Sequence, residues 1–180
     1  HFRPREAGMT NKPPKAIFLD RDGTLIRDKN YLSRVEDIEY FPDTFAALTL
    51  MQAKGYRLYV ITNQSGVGRG FFPLEAVYTV HAAMDADMTA HKLEPFEGWG
   101  VCPHAPDDAC PCRKPGPQLI QDFLQRDGLD SKQCWMLGDK AIDAECGLNA
   151  GIKGAVVREK SAAESYVYFA SLLEFAQTLT

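Results

Sequence analysis

The sequence predicts an α/β fold built on a doubly wound parallel sheet. Short apolar runs alternate along the chain with longer amphipathic stretches, and three of these runs end on a polar side chain, at Asp20, Thr62 and Asp139. Strands that alternate with helices form βαβ units with right-handed crossovers. A chain of 180 residues is long enough for one domain with a core of ordinary size.

The predicted elements alternate regularly between strand and helix. Residues 16–20, AIFLD, are an apolar run that suits a strand buried on both faces of a parallel sheet. The helix predicted over 42–55 begins with Pro42 and Asp43 and ends at Gly55, as capped helices do. The remaining predictions are strands at 56–63, 96–104, 134–139 and 154–159, helices at 73–93, 117–128 and 141–151, and a short strand and helix in the tail.

No repeat, low-complexity tract or linker divides the chain. Because it opens on His1 and has its first methionine at Met9, residues 1–8 are expected to be a cloning remnant or an unstructured leader. Residues 9–180 are then expected to form a single domain.

Composition and charge argue against a nucleic-acid-binding or membrane protein. With 20 basic and 24 acidic residues the net charge is −4, whereas binding to nucleic acid irrespective of its sequence usually needs a basic face. No apolar run reaches the roughly 18 residues that span a bilayer, and the first residues lack the apolar core of a signal peptide. We expect a cytoplasmic monomer with neither nucleic acid nor membrane as a partner.

The polar ends of three strands predict one crevice. Ligands bind beyond the carboxyl ends of the strands in such sheets, so Asp20, Thr62 and Asp139 are expected to converge. Asp20 and Asp22 are paired carboxylates that can bind a hard cation or divide nucleophile and acid–base roles, with Arg21 between them expected to point elsewhere. A solvated Asp-Gly turn is the simpler interpretation of this pair alone. The second acidic strand end favours instead a Mg²⁺ site of Asp20, Asp22 and Asp139.

Two further segments carry groups that suit phosphate. The stretch ITNQSGVGRG supplies the Thr62 hydroxyl and glycine-rich backbone for phosphate oxygens, although a purely structural turn fits it equally well. Arg113 and Lys114 would by themselves be a solvated cationic pair. Beside two carboxylate sites, they favour a cation that balances the charge of a bound phosphate.

One loop concentrates metal-ligating side chains, namely Cys102, His104, Cys110 and Cys112. Three thiolates and one imidazole form a closed tetrahedral Zn²⁺ set, which leaves no position for water and so predicts a structural role. Five cysteines cannot all pair internally, and a reducing compartment favours metal over the alternative of a disulfide. A non-enzymatic zinc knuckle that binds nucleic acid or protein is another alternative, which the acidic balance opposes.

Taken together, these residues resemble the haloacid-dehalogenase-like phosphohydrolases. The family's motifs appear in order as Asp20-Arg21-Asp22-Gly23-Thr24, Thr62, Lys114 and Gly138-Asp139 with Asp143. The resemblance implies the haloacid-dehalogenase fold and a phosphatase in which Asp20 is the nucleophile that forms an aspartyl-phosphate. Asp22 would be the general acid and then the general base.

The same resemblance assigns the cation and the phosphoryl group. It implies Mg²⁺ held by Asp20, the main-chain carbonyl of Asp22, and Asp139. Thr62 and Lys114 would stabilise the phosphoryl group. Asp143 would orient Lys114 or the waters of the cation.

Within this family the chain resembles a capless subgroup with a CxH…CxC loop before RKP. That subgroup contains enzymes acting on heptose bisphosphate and enzymes acting on histidinol phosphate. TNQSGVGRG is nearer to the heptose enzymes, since the histidinol-phosphate enzymes tend to have Asp where this chain has Ser65. Gly68 departs from the Ala that is usual in the heptose enzymes. A sugar bisphosphate is therefore the expected substrate, with histidinol phosphate as the alternative.

Loops are expected to bind the rest of the substrate, because the segments 23–41 and 114–134 are too short for a large cap domain. The resemblance implies substrate contacts by Asp28, Lys29, Asn30, Tyr31, Asn63, Gln64, Ser65 and Arg113. Arg113 would bind the second, non-reacting phosphate or nearby sugar oxygens. The expected partner is one small sugar phosphate, with catalytic Mg²⁺ and structural Zn²⁺ as cofactors.

Overall fold

The computed structural model describes residues 12–180 and contains a six-stranded parallel sheet. Its strands are β1 (Ala16–Leu19), β2 (Arg57–Asn63), β3 (Gly98–Cys102), β4 (Trp135–Gly138), β5 (Lys153–Val157) and β6 (Val167–Phe169). Its helices are α1 (Thr44–Ala53), α2 (Ser65–Gly68), α3 (Leu74–Ala90), α4 (Gln118–Asp127), α5 (Ala141–Asn149) and α6 (Leu172–Thr178). The strand order β3-β2-β1-β4-β5-β6 is that of a doubly wound sheet, so the predicted fold class is confirmed. The predicted leader, residues 1–8, lies outside the described residues.

Alternating side chains of the central strand pack into two separate cores. Ile17 and Leu19 lie in the core formed with α1, α3 and α6. Ala16 and Phe18 lie in the core formed with α4 and α5. Successive residues of a strand face opposite sides of the sheet, so β1 has to be apolar on both faces until it reaches Asp20.

The loops between these elements leave the crevice uncovered by a second domain. Between β1 and α1, residues 20–43 contain one 3-10 turn, Val35–Asp37, and isolated bridges, which agrees with the absence of a large cap. The short helix α2 was not predicted, since its glycine-rich sequence SGVG is more typical of a turn. Among residues 12–180, no helix is both long and apolar enough to cross a membrane.

Asp43 and Arg158 hold the first loop against the end of the chain. Asp43 was expected to cap α1, but its carboxylate accepts hydrogen bonds from Arg158 Nη1 at 2.9 Å and from the Leu173 N–H at 3.1 Å. Arg158 also donates to the Thr24 carbonyl from Nε at 3.1 Å and from Nη2 at 2.9 Å. Arg158 and Asp43 thus join the loop after β1 to α6.

Candidate active site

Three acids that are distant in sequence meet at the carboxyl ends of the two central strands. Asp20 follows β1 and Asp139 follows β4, and the Asp20 N–H donates to the Leu137 carbonyl at 2.9 Å, which continues the strand pairing. Asp143 lies in the first turn of α5. One carboxylate oxygen from each of the three acids lies within 4.8 Å of the others. Thr62 lies in β2, one residue before its end, within the strand predicted over 56–63.

Lys114 is a buried cation between two of these carboxylates. Its Nζ donates to Asp20 Oδ1 and Asp143 Oδ1, both at 2.7 Å, and to the Ile61 carbonyl at 3.0 Å. Burial alone would lower the pKa of Lys114, but the charges of Asp143 and Asp20 outweigh it and hold that pKa above its usual value. The ammonium group therefore stays charged and fixes the Asp20 carboxylate.

The acid cluster fits a small divalent cation. Asp139 Oδ1 is buried and has no hydrogen-bond partner. Burial, which penalises the ionised form, and second to it the repulsion from the charge of Asp20 raise the pKa of Asp139 to about 8. Gly23 has a φ of 84° and passes so close to Asp139 that a Cβ would overlap the carboxylate. Mg²⁺ prefers such carboxylate oxygens and would offset their repulsion.

The Asp22 carboxylate contacts Arg21 and Gln64. Arg21 Nε donates to Asp22 Oδ2 at 3.0 Å, and Nη2 donates to Oδ1 at 3.1 Å. Gln64 Nε2 donates to Asp22 Oδ2 at 3.1 Å and to Thr62 Oγ1 at 2.7 Å. The expectation that Arg21 points elsewhere is therefore wrong. Gln64, predicted to meet the substrate, also ties Asp22 to β2.

A cavity of about 240 Å³ opens over these groups. Of the predicted catalytic and substrate-binding residues, those that line it are Asp20, Asp22, Asp28, Asn30, Tyr31, Asn63, Gln64, Ser65, Arg113 and Lys114. Thr62 is buried beneath the cavity, with Gln64 against its hydroxyl. Lys29 does not line the cavity, because its Nζ pairs with Glu39 Oε2 at 2.7 Å on the exposed surface. The substrate contact predicted for Lys29 is thus not supported.

Cations border the cavity beyond Lys114. Arg113 lines it, and its Nη1 is buried without a hydrogen-bond partner. Lys140, which the sequence analysis missed, also lines the cavity, directly after Asp139. The sequence signal that could have identified Lys140 is its position directly after an acidic residue at the end of a strand. Asn63 fixes the backbone of this region, because its Oδ1 accepts the Lys114 N–H at 3.0 Å.

The spacing of the Cys/His cluster is compatible with a tetrahedral metal site. Cys102 Sγ lies 3.5 Å from His104 Nδ1 and 3.9 Å from Cys110 Sγ, and Cys112 Sγ lies 3.3 Å from the same nitrogen. Ligands held at 2.0–2.3 Å by a tetrahedral Zn²⁺ are separated by about 3.3–3.8 Å, so the set fits this ion. All four ligand atoms lie within 4.8 Å of one another, and the three cysteines are free thiols. The alternative of a disulfide is not what the structure shows.

The loop that carries the Cys/His cluster packs directly on Gln64 and α2. The Gln64 N–H donates to the Cys102 carbonyl at 2.7 Å, and the Gly68 N–H donates to the Pro103 carbonyl at 2.8 Å. A Cβ on Gly68 would overlap the backbone of Ala105, which explains why this chain has glycine there. The cluster therefore connects α2 to the segment that carries Arg113.

Comparison with known proteins gives concordant results. A family model described as HAD-hydrolase-like matches residues 111–168. The D-glycero-β-D-manno-heptose-1,7-bisphosphate 7-phosphatase of Helicobacter pylori is 38% identical over 139 residues, which cover 77% of this chain and 80% of that protein. The enzyme of the same name from Pseudomonas putida is 30% identical and covers 92% of this chain and 99% of its own length.

A solved structure supports the same relationship. The D,D-heptose 1,7-bisphosphate phosphatase from B. bronchiseptica, complexed with magnesium and phosphate, superposes with a TM-score of 0.84 at 26% identity. The match covers 92% of this chain and 97% of that one.

Proposed function

Because the chain belongs to the haloacid-dehalogenase-like hydrolase family, we propose that it removes the 7-phosphate of D-glycero-D-manno-heptose 1,7-bisphosphate. The observation that carries this proposal is a cavity that combines Asp20, held by Lys114, with the unpartnered Arg113. Relatives at 30–38% identity that bear this enzyme name support it. The product would serve heptose precursor synthesis for lipopolysaccharide core or surface glycan in the cytoplasm. Membership in a hydrolase family argues against a zinc-knuckle binding module.

Phosphoryl transfer would begin at Asp20. A carboxylate oxygen of Asp20 attacks phosphorus, and the bond from phosphorus to the sugar oxygen breaks. Asp22 gives its proton to that departing oxygen, so the sugar leaves as a neutral alcohol. Lys114 compensates the charge on the phosphoryl oxygens and keeps the Asp20 carboxylate directed at them.

Hydrolysis of the aspartyl-phosphate would restore the enzyme. Asp22, now ionised, takes a proton from water as the water oxygen attacks phosphorus, and the bond from phosphorus to Asp20 breaks. Asp20 and Asp139, with the main-chain carbonyl of Asp22, would hold Mg²⁺. The ion supplies positive charge for the phosphoryl oxygens. Asp143 positions Lys114 by accepting a hydrogen bond from its Nζ at 2.7 Å. Thr62 contributes a hydroxyl beneath the site.

The second phosphate would bind to the cations that border the cavity. Arg113 has a buried nitrogen without a partner, and a phosphate oxygen would satisfy it with a charge-assisted hydrogen bond. Lys140 lines the same cavity. The remaining substrate contacts that we propose are those of the residues that line the cavity, namely Asp28, Asn30, Tyr31, Asn63, Gln64 and Ser65.

The substrate proposal predicts strong discrimination between two phosphate esters. We expect kcat/KM for the heptose bisphosphate to exceed that for histidinol phosphate by about 100-fold or more, because histidinol phosphate lacks the second phosphate and brings an ammonium group toward Arg113. The measurement is phosphate release from each ester by the purified enzyme with Mg²⁺. A larger kcat/KM for histidinol phosphate would overturn the heptose assignment in favour of histidine synthesis.

A variant of Arg113 tests whether this residue causes that discrimination. Arg113→Gln should lower kcat/KM for the bisphosphate by about 30-fold or more while changing that for heptose 7-phosphate by less than about threefold. An equal loss on both esters would show that Arg113 does not bind the second phosphate.

The Cys/His cluster would hold a structural Zn²⁺ that shapes the loop carrying Arg113 and Lys114. We expect one zinc per chain, and Cys110→Ala should lose it. The variant should have a lower melting temperature and a kcat/KM reduced by up to about 100-fold, because Lys114 is displaced. Cys134→Ala is the control, since the Cys134 thiol donates to the Asp130 carbonyl outside the cluster. Unchanged zinc content and stability in Cys110→Ala would contradict a structural Zn²⁺ in the Cys/His cluster.

A further inference from the structure

Arg21 is a fully buried cation in the middle of the nucleophile motif, with an exposed fraction of 1%. A buried guanidinium group is costly unless its donors are satisfied and its charge is paired. Arg21 meets both conditions through Asp22, Gln64 and His81. The reaction proposed above uses Asp22 and leaves Arg21 and His81 without a role.

The guanidinium group grips Asp22 with two parallel hydrogen bonds. Nε and Nη2 donate to different oxygens of the Asp22 carboxylate at 3.0 and 3.1 Å. Nη2 also donates to Gln64 Oε1 at 3.2 Å, and Gln64 in turn donates to Asp22 Oδ2 at 3.1 Å. Such fork-like contacts fix direction as well as distance. The plane of the Asp22 carboxylate is therefore fixed by Arg21 and Gln64, which also hydrogen-bond to each other.

His81 accepts a hydrogen bond from Arg21 Nη1, on the side away from Asp22, and does not compete with Asp22 for the guanidinium group. Arg21 Nη1 lies 3.2 Å from His81 Nε2, so this nitrogen has to accept and the ring proton sits on Nδ1. Burial, and then the charge of Arg21, lower the pKa of His81 to about 3, so the ring stays neutral. A carboxylate at this position would draw Arg21 away from Asp22, whereas a neutral ring does not.

The ring of His81 is itself held in place by α3 and β3. It stacks on Trp99 with ring centroids 3.9 Å apart and an interplanar angle of 15°. Trp99 Nε1 donates to Asp85 Oδ2 at 3.0 Å, which fixes the indole. A continuous set of contacts thus runs from Asp85 through Trp99, His81 and Arg21 to the acid–base carboxylate.

We propose that Arg21 and His81 are positioning residues for proton transfer, which hold the Asp22 carboxylate at the leaving-group oxygen of the substrate. The inference rests on the general-acid role proposed for Asp22. It concerns only the steps in which Asp22 moves a proton. Attack by Asp20 and binding of the phosphates do not depend on it.

The test compares substrates whose leaving groups do and do not need a proton. An alkoxide is a poor leaving group, whereas nitrophenolate departs unprotonated, and kcat/KM reports the first phosphoryl transfer in both cases. Arg21→Lys and Arg21→Met should lower kcat/KM for the heptose bisphosphate by about 30- to 100-fold. For p-nitrophenyl phosphate the loss should stay below about threefold. His81→Phe, which keeps the stacking on Trp99, should show the same selectivity with a loss of about 3- to 10-fold.

Arg158→Met is the matched control, because Arg158 supports the same loop through the Thr24 carbonyl and does not contact Asp22. It should lower the melting temperature and leave the ratio of the two kcat/KM values unchanged. Equal losses on both substrates in the Arg21 variants, or no loss, would overturn the proposal. Should Arg21→Met fail to fold, Arg21→Lys and His81→Phe decide the question by the same ratio.

Asp22→Asn separates failure of this inference from failure of the proposed function. If Asp22 is the general acid, this variant loses kcat/KM selectively on the alkyl ester, because kcat/KM reports the first phosphoryl transfer and not the later hydrolysis. An Asp22→Asn variant without that selectivity would refute the proposed mechanism. A selective Asp22→Asn beside unselective Arg21 variants would refute only the positioning role. If the wild-type enzyme does not hydrolyse the heptose bisphosphate, fructose 1,6-bisphosphate is used as the alkyl ester in these comparisons.

Discussion

Asp20→Asn should abolish turnover while leaving the fold intact. We expect kcat to fall by about 10⁴-fold or more, because a neutral amide cannot attack phosphorus and no neighbouring carboxylate is held in the same position by Lys114. The amide keeps the shape of the carboxylate and can still accept from the Lys114 ammonium. Phosphate release and thermal unfolding measure the two expectations.

Asp122→Asn is the matched control for this change, since Asp122 is an exposed residue of α4. It should retain wild-type kcat, KM and melting temperature. Wild-type turnover by Asp20→Asn would refute the nucleophile assignment. Zinc content should be the same in both variants, because neither residue lies in the Cys/His cluster.

Lys114→Met should cost both stability and activity. Removing one partner of a buried ion pair costs about 3–5 kcal/mol, because the charges left behind are uncompensated. Here two buried carboxylates, Asp20 and Asp143, would lose their shared counter-charge. Phosphate release should fall by about 10³-fold, because the phosphoryl oxygens also lose a cation. Denaturant unfolding and steady-state kinetics measure the two losses.

A double variant separates these two effects. Lys114→Met with Asp143→Asn removes one buried positive and one buried negative charge, so it should recover a large part of the unfolding free energy. It should not recover phosphate release, because the missing ammonium group is not replaced. If the double variant is no more stable than the single one, the ion triad does not account for the stability. If it regains activity, Lys114 does not act on the phosphoryl group.

The strand-end rule made the centre of the site predictable from the sequence. Asp20 and Asp139 each follow an apolar run, and parallel strands bring their carboxyl ends to one edge. Asp143 follows in the first turn of α5, so its proximity needs only helix geometry. Lys114 could be predicted as a nearby cation but not as the buried centre of an ion triad, because that depends on packing.

Side-chain direction in the loops could not be predicted. Asn30 and Tyr31 both have positive φ values, 55° and 69°, and this turn leaves Lys29 on the outer surface against Glu39. The family resemblance implied substrate contacts for all four residues 28–31, because a motif match does not give the direction of each side chain. Arg21 was misjudged for a similar reason, since its partner His81 is sixty residues away in sequence, on α3. The helix α2 carried no helical signal, because two of its four residues are glycine.

The most direct test of the central claim is to trap the covalent intermediate on Asp20. Asp22→Asn with p-nitrophenyl phosphate should transfer the phosphoryl group, since nitrophenolate needs no proton, and then stall, since no base activates water. Stopped-flow absorbance should show a burst of nitrophenolate equal to the enzyme concentration. Mass spectrometry of the acid-quenched protein should show one phosphoryl group on Asp20. A linear time course with an unmodified Asp20 peptide, or a phosphoryl group on another residue, would contradict the account.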